Sequence, residues 1–130
     1  MSNKAERGLP SIDFLADIIQ CEALKLVGGE LLPIPSQLFN RAFLPSLKSV
    51  DDYQQVFCLF DRNQTFFLVP PLGNLIDGCY LIKIGGVYAI RHLTLLPDDK
   101  VMIDFEQFFT SCRRDEIEII GKAILKMEKM

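Results

Sequence analysis

The chain has no tryptophan, and among its 130 residues there is a single histidine, His92. A Ser-His-Asp triad would therefore have one imidazole to draw on. His92 lies in a strand-like run, where a lone histidine reads as a partly exposed packing residue. Cysteine is sparse: Cys21, Cys58, Cys79 and Cys112 form no C-x-x-C pair and match no zinc spacing. Cys58 and Cys79 sit in apolar runs, where a reduced thiol behaves as a small hydrophobe. No stretch approaches the roughly 18 apolar residues of a membrane span. The opening MSNKAERGLP has no secretory hydrophobic region, so a cytoplasmic protein with no membrane partner is expected. Basic excess is missing too: 14 Lys and Arg stand against 17 Asp and Glu, for a net charge of -3. That balance argues against a chain that itself grips nucleic acid. The densest basic pair, Arg113 and Arg114, runs straight into Asp115 and Glu116 and reads as a solvated turn. Gly28-Gly29 and Gly85-Gly86 belong to no G-x-G-x-x-G or P-loop and read as turns. Asp51-Asp52 and Asp98-Asp99 read as turn residues, so no cofactor and no metal are expected.

What is present is hydrophobicity with strand character. Apolar residues make up 49% of the chain and charged residues 24%, a globular composition. Residues 1–10 read as a polar lead. Ser11 as N-cap, with Ile12, Leu15, Ile19 and Ala23 at helical spacing, predicts a helix over 12–23 that Gly28 and Gly29 stop, with 24–27 already extended. Pro33, Pro35 and Pro45 make 30–49 irregular, with at most a short turn or strand. Strands are then predicted over 54–61, 65–69, 79–84, 87–93 and 101–103. Gly85-Gly86 supplies a type I′ hairpin, because both central positions of that turn need positive φ. Asp104 with Gln107 predicts a capping box for one helical turn. A last strand over 117–127 is expected to bulge near Gly121. The fold class is mainly β with one N-terminal helix, divided into a lead and helix over 1–23 and a β domain over 24–130. The runs 56–60 and 66–69 do not alternate, so both faces of those strands must be covered, by the rest of the chain or by another subunit.

The segment 77–97, DGCYLIKIGGVYAIRHLTLLP, resembles the C-terminal domain of the LexA, UmuD and phage-repressor superfamily. The shared pattern is a D-G that opens a strand, a glycine hairpin, a V-K-R-L-like strand and an L-P-x-x-K turn, here Leu96-Pro97-Asp98-Asp99-Lys100. An I-x-x-I-G-R-V-like terminal strand follows, here Ile117-Glu118-Ile119-Ile120-Gly121-Lys122-Ala123. The likeness covers about residues 53–125, is weaker over 24–52, and is most similar to CI repressors of P2-like phages, a non-cleaving branch. It implies a LexA-like fold of twisted antiparallel sheets with β-hairpins.

Self-cleaving members of that superfamily use a serine and a neutral lysine. The resemblance puts Arg91 at the lysine position, and a guanidinium, which holds its proton permanently, cannot act as that base. The serine motif falls on residues 60–66, which hold no serine. Ser36, Ser46, Ser49 and Ser111 read as turn or cap residues. The chain is therefore expected not to be an enzyme. The resemblance implies association instead: a dimer or higher oligomer of itself, as part of a phage repressor-type transcriptional regulator in the bacterial host cell, with DNA bound through a separate domain. The alternative is a stand-alone antirepressor or partner-binding protein that forms mixed oligomers with a full-length repressor. Candidate interface residues are Phe105, Phe108 and Phe109 at the 104–109 turn, together with Ile117, Ile119 and Ile120 on the last strand, taken as an edge free to pair across a dimer axis.

Overall fold

A computed structural model describes residues 18–40, 56–71 and 74–128. Nine strands form one sheet: β1 (Ile18–Val27), β2 (Glu30–Asn40), β3 (Phe57–Asp61), β4 (Gln64–Val69), β5 (Gly78–Ile84), β6 (Val87–Leu96), β7 (Lys100–Asp104), β8 (Phe109–Arg113) and β9 (Glu118–Glu128). Their order is β2-β1-β3-β4-β9-β5-β6-β7-β8. Every neighbouring pair is antiparallel except β1 with β3.

The mainly β class expected from the sequence is what the chain adopts, but the N-terminal helix is not found where it can be checked. Residues 18–23 belong to β1, and 12–17 lie outside the described residues. The reason is an ambiguity of spacing. Ile19 and Ala23 are four apart, which places them on one face of a helix and equally on one face of a strand. In the sheet, Cys21 and Ala23 share one apolar layer with Ile19, while Leu24 and Leu26 join another. Gly28 and Gly29 accordingly do not end a helix. With φ of 58° and 83° they make the tight hairpin from β1 to β2, the same device as Gly85 and Gly86 at 59° and 80° between β5 and β6.

The proline-bearing segment is also corrected. Residues 30–40 form an 11-residue strand, β2, despite Pro33 and Pro35; Pro45 is outside the described residues. Proline is tolerated because β2 is the outermost strand and because the β1–β2 register slips between Cys21 and Ala23, opposite residues 34–37. The helical turn expected after Asp104 is absent. Asp104 Oδ1 instead accepts the Glu106 N–H at 2.7 Å, and the chain doubles back into β8. A 3-10 turn sits later, at Arg114–Glu116, where the Arg113 N–H donates to Glu116 Oε1 at 2.6 Å.

The sheet folds over on β9. Its second half pairs with β4 through residues 122–128 and its first half with β5 through residues 118–122, with Lys122 reaching both. Register shifts beside Ile120 and Ile124 bend the strand enough to serve two partners. The bulge expected near Gly121 is therefore present. A Cβ at that glycine would lie 2.8 Å from Phe57 Cζ and 3.2 Å from the Val69 carbonyl oxygen, so the position takes glycine because another backbone and a ring close on it.

Folding over creates a middle apolar layer. Leu59, Phe66 and Leu68 of β3 and β4 pack there against Leu81 and Ile90 of β5 and β6. The outer face of the first half holds Cys21, Cys58 and Phe67. The outer face of the second holds Tyr80, Ile82, Leu93, Val101 and Ile103. This accounts for the runs that fail to alternate: Cys58 and Phe67 face one layer while Leu59, Phe66 and Leu68 face the next. A backbone bond from the Tyr88 N–H to the Gly29 oxygen, 2.8 Å, ties the first hairpin tip to the start of β6.

Candidate functional site

Two places hold the residues singled out from the sequence: the second strand of the β5–β6 hairpin, with Arg91 and His92, and the outer end of the sheet at β7 and β8.

Arg91 lies on β6 opposite Tyr80. Its guanidinium carbon stands 5.3 Å from the centre of the Phe105 ring. Nη1 makes one long bond, 3.4 Å, to the Ile90 oxygen of its own strand, and Nε is buried without a hydrogen-bond partner. An ion held this way against an aromatic face contributes charge and packing; it has no lone pair with which to take a proton. Cys79 is the cross-strand neighbour of His92, beside a cleft that Lys126 and Asp104 also line. Burial pushes the Cys79 thiol up, although the charges of Lys126 and Arg91 pull the other way, so the thiolate is disfavoured. Of the serines within the described residues, Ser36 is on β2 and Ser111 on β8, and neither strand is a hydrogen-bonded neighbour of β6 in the sheet. Ser46 and Ser49 lie outside those residues. The Asp77-Gly78 pair does structural work: the Asp77 carboxylate accepts the Leu95 N–H at 2.8 Å, and the Tyr80 hydroxyl donates to the Ile76 oxygen at 2.7 Å. Together they pin the chain as it enters β5.

The aromatic group divides. Phe105 is half-buried on the second half's outer layer, with its ring stacked on Phe108 at 5.1 Å. Phe108 and Phe109 are 60% and 65% exposed. Ile117, by contrast, is buried in the core, Ile119 packs beside it, and Ile120 packs on the middle layer. The idea of β9 as a free edge is corrected by the sheet order, which places it between β4 and β5. The edges are β2 and β8, and β8 carries no apolar pattern that marks it as a strand. Its five residues, FTSCR, are exposed apart from Cys112 and so show no apolar periodicity. Beside it, Arg113 and Asp115 form an exposed ion pair at 2.8 Å, as a solvated turn should.

A family model described as the bacteriophage CI repressor C-terminal domain matches residues 20–125 of this sequence. The chain belongs to that family. The match takes in all of β3 to β8 together with the hairpin, the Leu96-Pro97 turn and the Ile120-Gly121 bulge that carried the resemblance. Among curated relatives, it is 35% identical over 121 residues to the "Repressor protein CI" of Haemophilus phage HP1 (strain HP1c1), covering 93% of this chain and 63% of that protein. It is 26% identical over 97 residues to "Protein ORFi in retron Ec67" of Escherichia coli, covering 75% of this chain and 46% of that protein. The chain thus spans about half to three fifths of the length of the curated relatives it matches. No helix among the described residues is long and apolar enough to cross a membrane.

Proposed function

We propose that this CI-family domain is a non-catalytic association module, residues 24–130 together with the rest of β1, that joins copies of a phage repressor-type regulator in the bacterial cytoplasm. Its role is then avidity: linked DNA-binding modules occupy several sites as one unit at high effective concentration. The observation that carries the reading is the exposed end of the sheet, where two phenylalanines stand at the start of an edge strand whose side chains are almost all in solvent. Exposed aromatics beside an unprotected edge are what a protein interface is built from, and what a monomer avoids. The arginine at the hairpin supports the non-catalytic half of the reading, since a permanent cation stands where the chemistry needs a neutral amine.

Sedimentation of the purified chain over a wide concentration range tests this. The wild-type chain is expected to associate, and Phe108→Asp or Phe109→Asp to shift the population to monomer with the far-UV spectrum retained. A chain that stays monomeric at every concentration would refute the module. Unchanged assembly in both folded variants would move the interface elsewhere.

A further inference from the structure

Hydrogen bonding along β8 carries an inference about which partner fits this edge and in what register. It rests on the association reading above. Two backbone bonds bracket the β7–β8 ladder: the Arg114 N–H donates to the Asp99 oxygen at 2.8 Å, and the Phe105 N–H to the Phe108 oxygen at 2.9 Å. Both fall on the register that pairs Lys100 with Arg113 and Asp104 with Phe109. In an antiparallel ladder bonded and non-bonded pairs alternate. Residues 108, 110, 112 and 114 therefore turn their backbone groups inward to β7, and 109, 111 and 113 turn theirs outward.

The outward set is trimmed at both ends. The Arg113 N–H is already given to Glu116, and the Gln107 N–H to the Phe105 oxygen. What remains is a short open segment, Phe109 and Ser111, each offering one N–H and one C=O, on an edge without proline.

We propose that this segment is completed by β8 of a second copy of the same chain, antiparallel about a two-fold axis through Thr110. In that register Phe109 faces the Ser111 position of the other copy, and Ser111 faces its Phe109. The N–H and C=O groups of Phe109 and Ser111 are then all satisfied. Centring the axis on Ser111 sets the Phe109 carbonyl against an Arg113 N–H that is already used. Centring it on Phe109 sets the Ser111 carbonyl against the Gln107 N–H, which is used as well. Only the Thr110 axis pairs every open group of Phe109 and Ser111.

Charge agrees. The same register brings Arg114, at one end of β8, toward Glu106 of the second copy, at the other end, and does so twice by symmetry. Within the described residues neither side chain makes an ion pair of its own. An antiparallel self-pairing therefore joins unlike ends, whereas a parallel one would set like charges side by side.

Cysteine cross-linking tests the register. In a Cys79→Ser, Cys112→Ser background, Thr110→Cys places two thiols on a non-bonded antiparallel pair, within the Cα separation a disulfide accepts. Mild oxidation should convert most of the chain to a covalent dimer. Phe109→Cys and Ser111→Cys in the same background should cross-link at least tenfold more slowly. A second variant, Ser111→Pro, removes only an outward N–H and leaves the inward ladder intact. It should raise the dimer Kd about tenfold with the melting of the dilute chain unchanged. If sedimentation shows a dimer but Thr110→Cys does not cross-link, or Ser111→Cys cross-links faster, this register is wrong while association stands. If sedimentation shows only monomer, both readings fall.

Discussion

The two ends of the sheet, β2 and β8, meet solvent in opposite ways. Each is an edge, each carries exposed apolar side chains, and each is paired on one side only. Yet β2 is 11 residues long with prolines at 33 and 35, and its register with β1 slips opposite the second of them. Two missing N–H groups and a bulge make a poor template for another strand. β8 is short and proline-free, with its open groups confined between two capped positions. Exposure of a greasy residue therefore does not by itself mark an interface. Leu38 on β2 is 68% exposed, slightly more than Phe109 on β8. What separates them is the backbone beneath: one edge is protected against pairing and the other is left open over a defined length.

That contrast can be broken or sharpened by mutation. The largest effect is expected from Leu81→Ala, because Leu81 is fully buried in the layer on which both halves of the sheet rest. The loss should be about 2–5 kcal/mol, read by denaturant unfolding, and both ends should melt together. Independent melting of the halves would show that the layer does not couple them. Next is the double variant Pro33→Thr, Pro35→Thr, which restores two donors to β2. Light scattering should then report assemblies larger than the wild-type species, as the second edge becomes able to pair; an unchanged size distribution would mean that β2 is protected by something other than its prolines. The smallest effect belongs to Leu38→Ser. An exposed site away from any cap or core should change stability by less than about 0.5 kcal/mol and leave sedimentation as it was. A shift toward monomer there would transfer the association role to the proline-bearing edge.

Much of this architecture is legible from residue pattern, and its failures have physical causes. The hairpin at Gly85-Gly86 is readable because clear strand patterns flank it on both sides. Gly28-Gly29 makes the same turn, but the residues before it, spaced by four, satisfy helix and strand alike, and only pairing with β2 and β3 decides between them. β8 leaves no trace in hydrophobicity because an edge strand with nearly every side chain in solvent has no buried face to encode. The interior position of β9 depends on two bulges and on which strands come to meet it, and local periodicity records neither. Phe105, Phe108 and Phe109 are visible as a cluster in the sequence, but their division into one half-buried ring and two exposed ones follows from the Asp104 turn.

The doubly paired last strand also governs the order of events during synthesis. Residues 118–128 leave the ribosome after all eight strands they follow, yet without them β4 and β5 have no common neighbour. Until that segment pairs with both, the strands made earlier remain two separate hydrogen-bonded groups, β2-β1-β3-β4 and β5-β6-β7-β8. A nascent chain stalled before residue 118 should therefore be sensitive to protease and prone to wrong pairings at β8, an interval in which newly made copies are best kept apart.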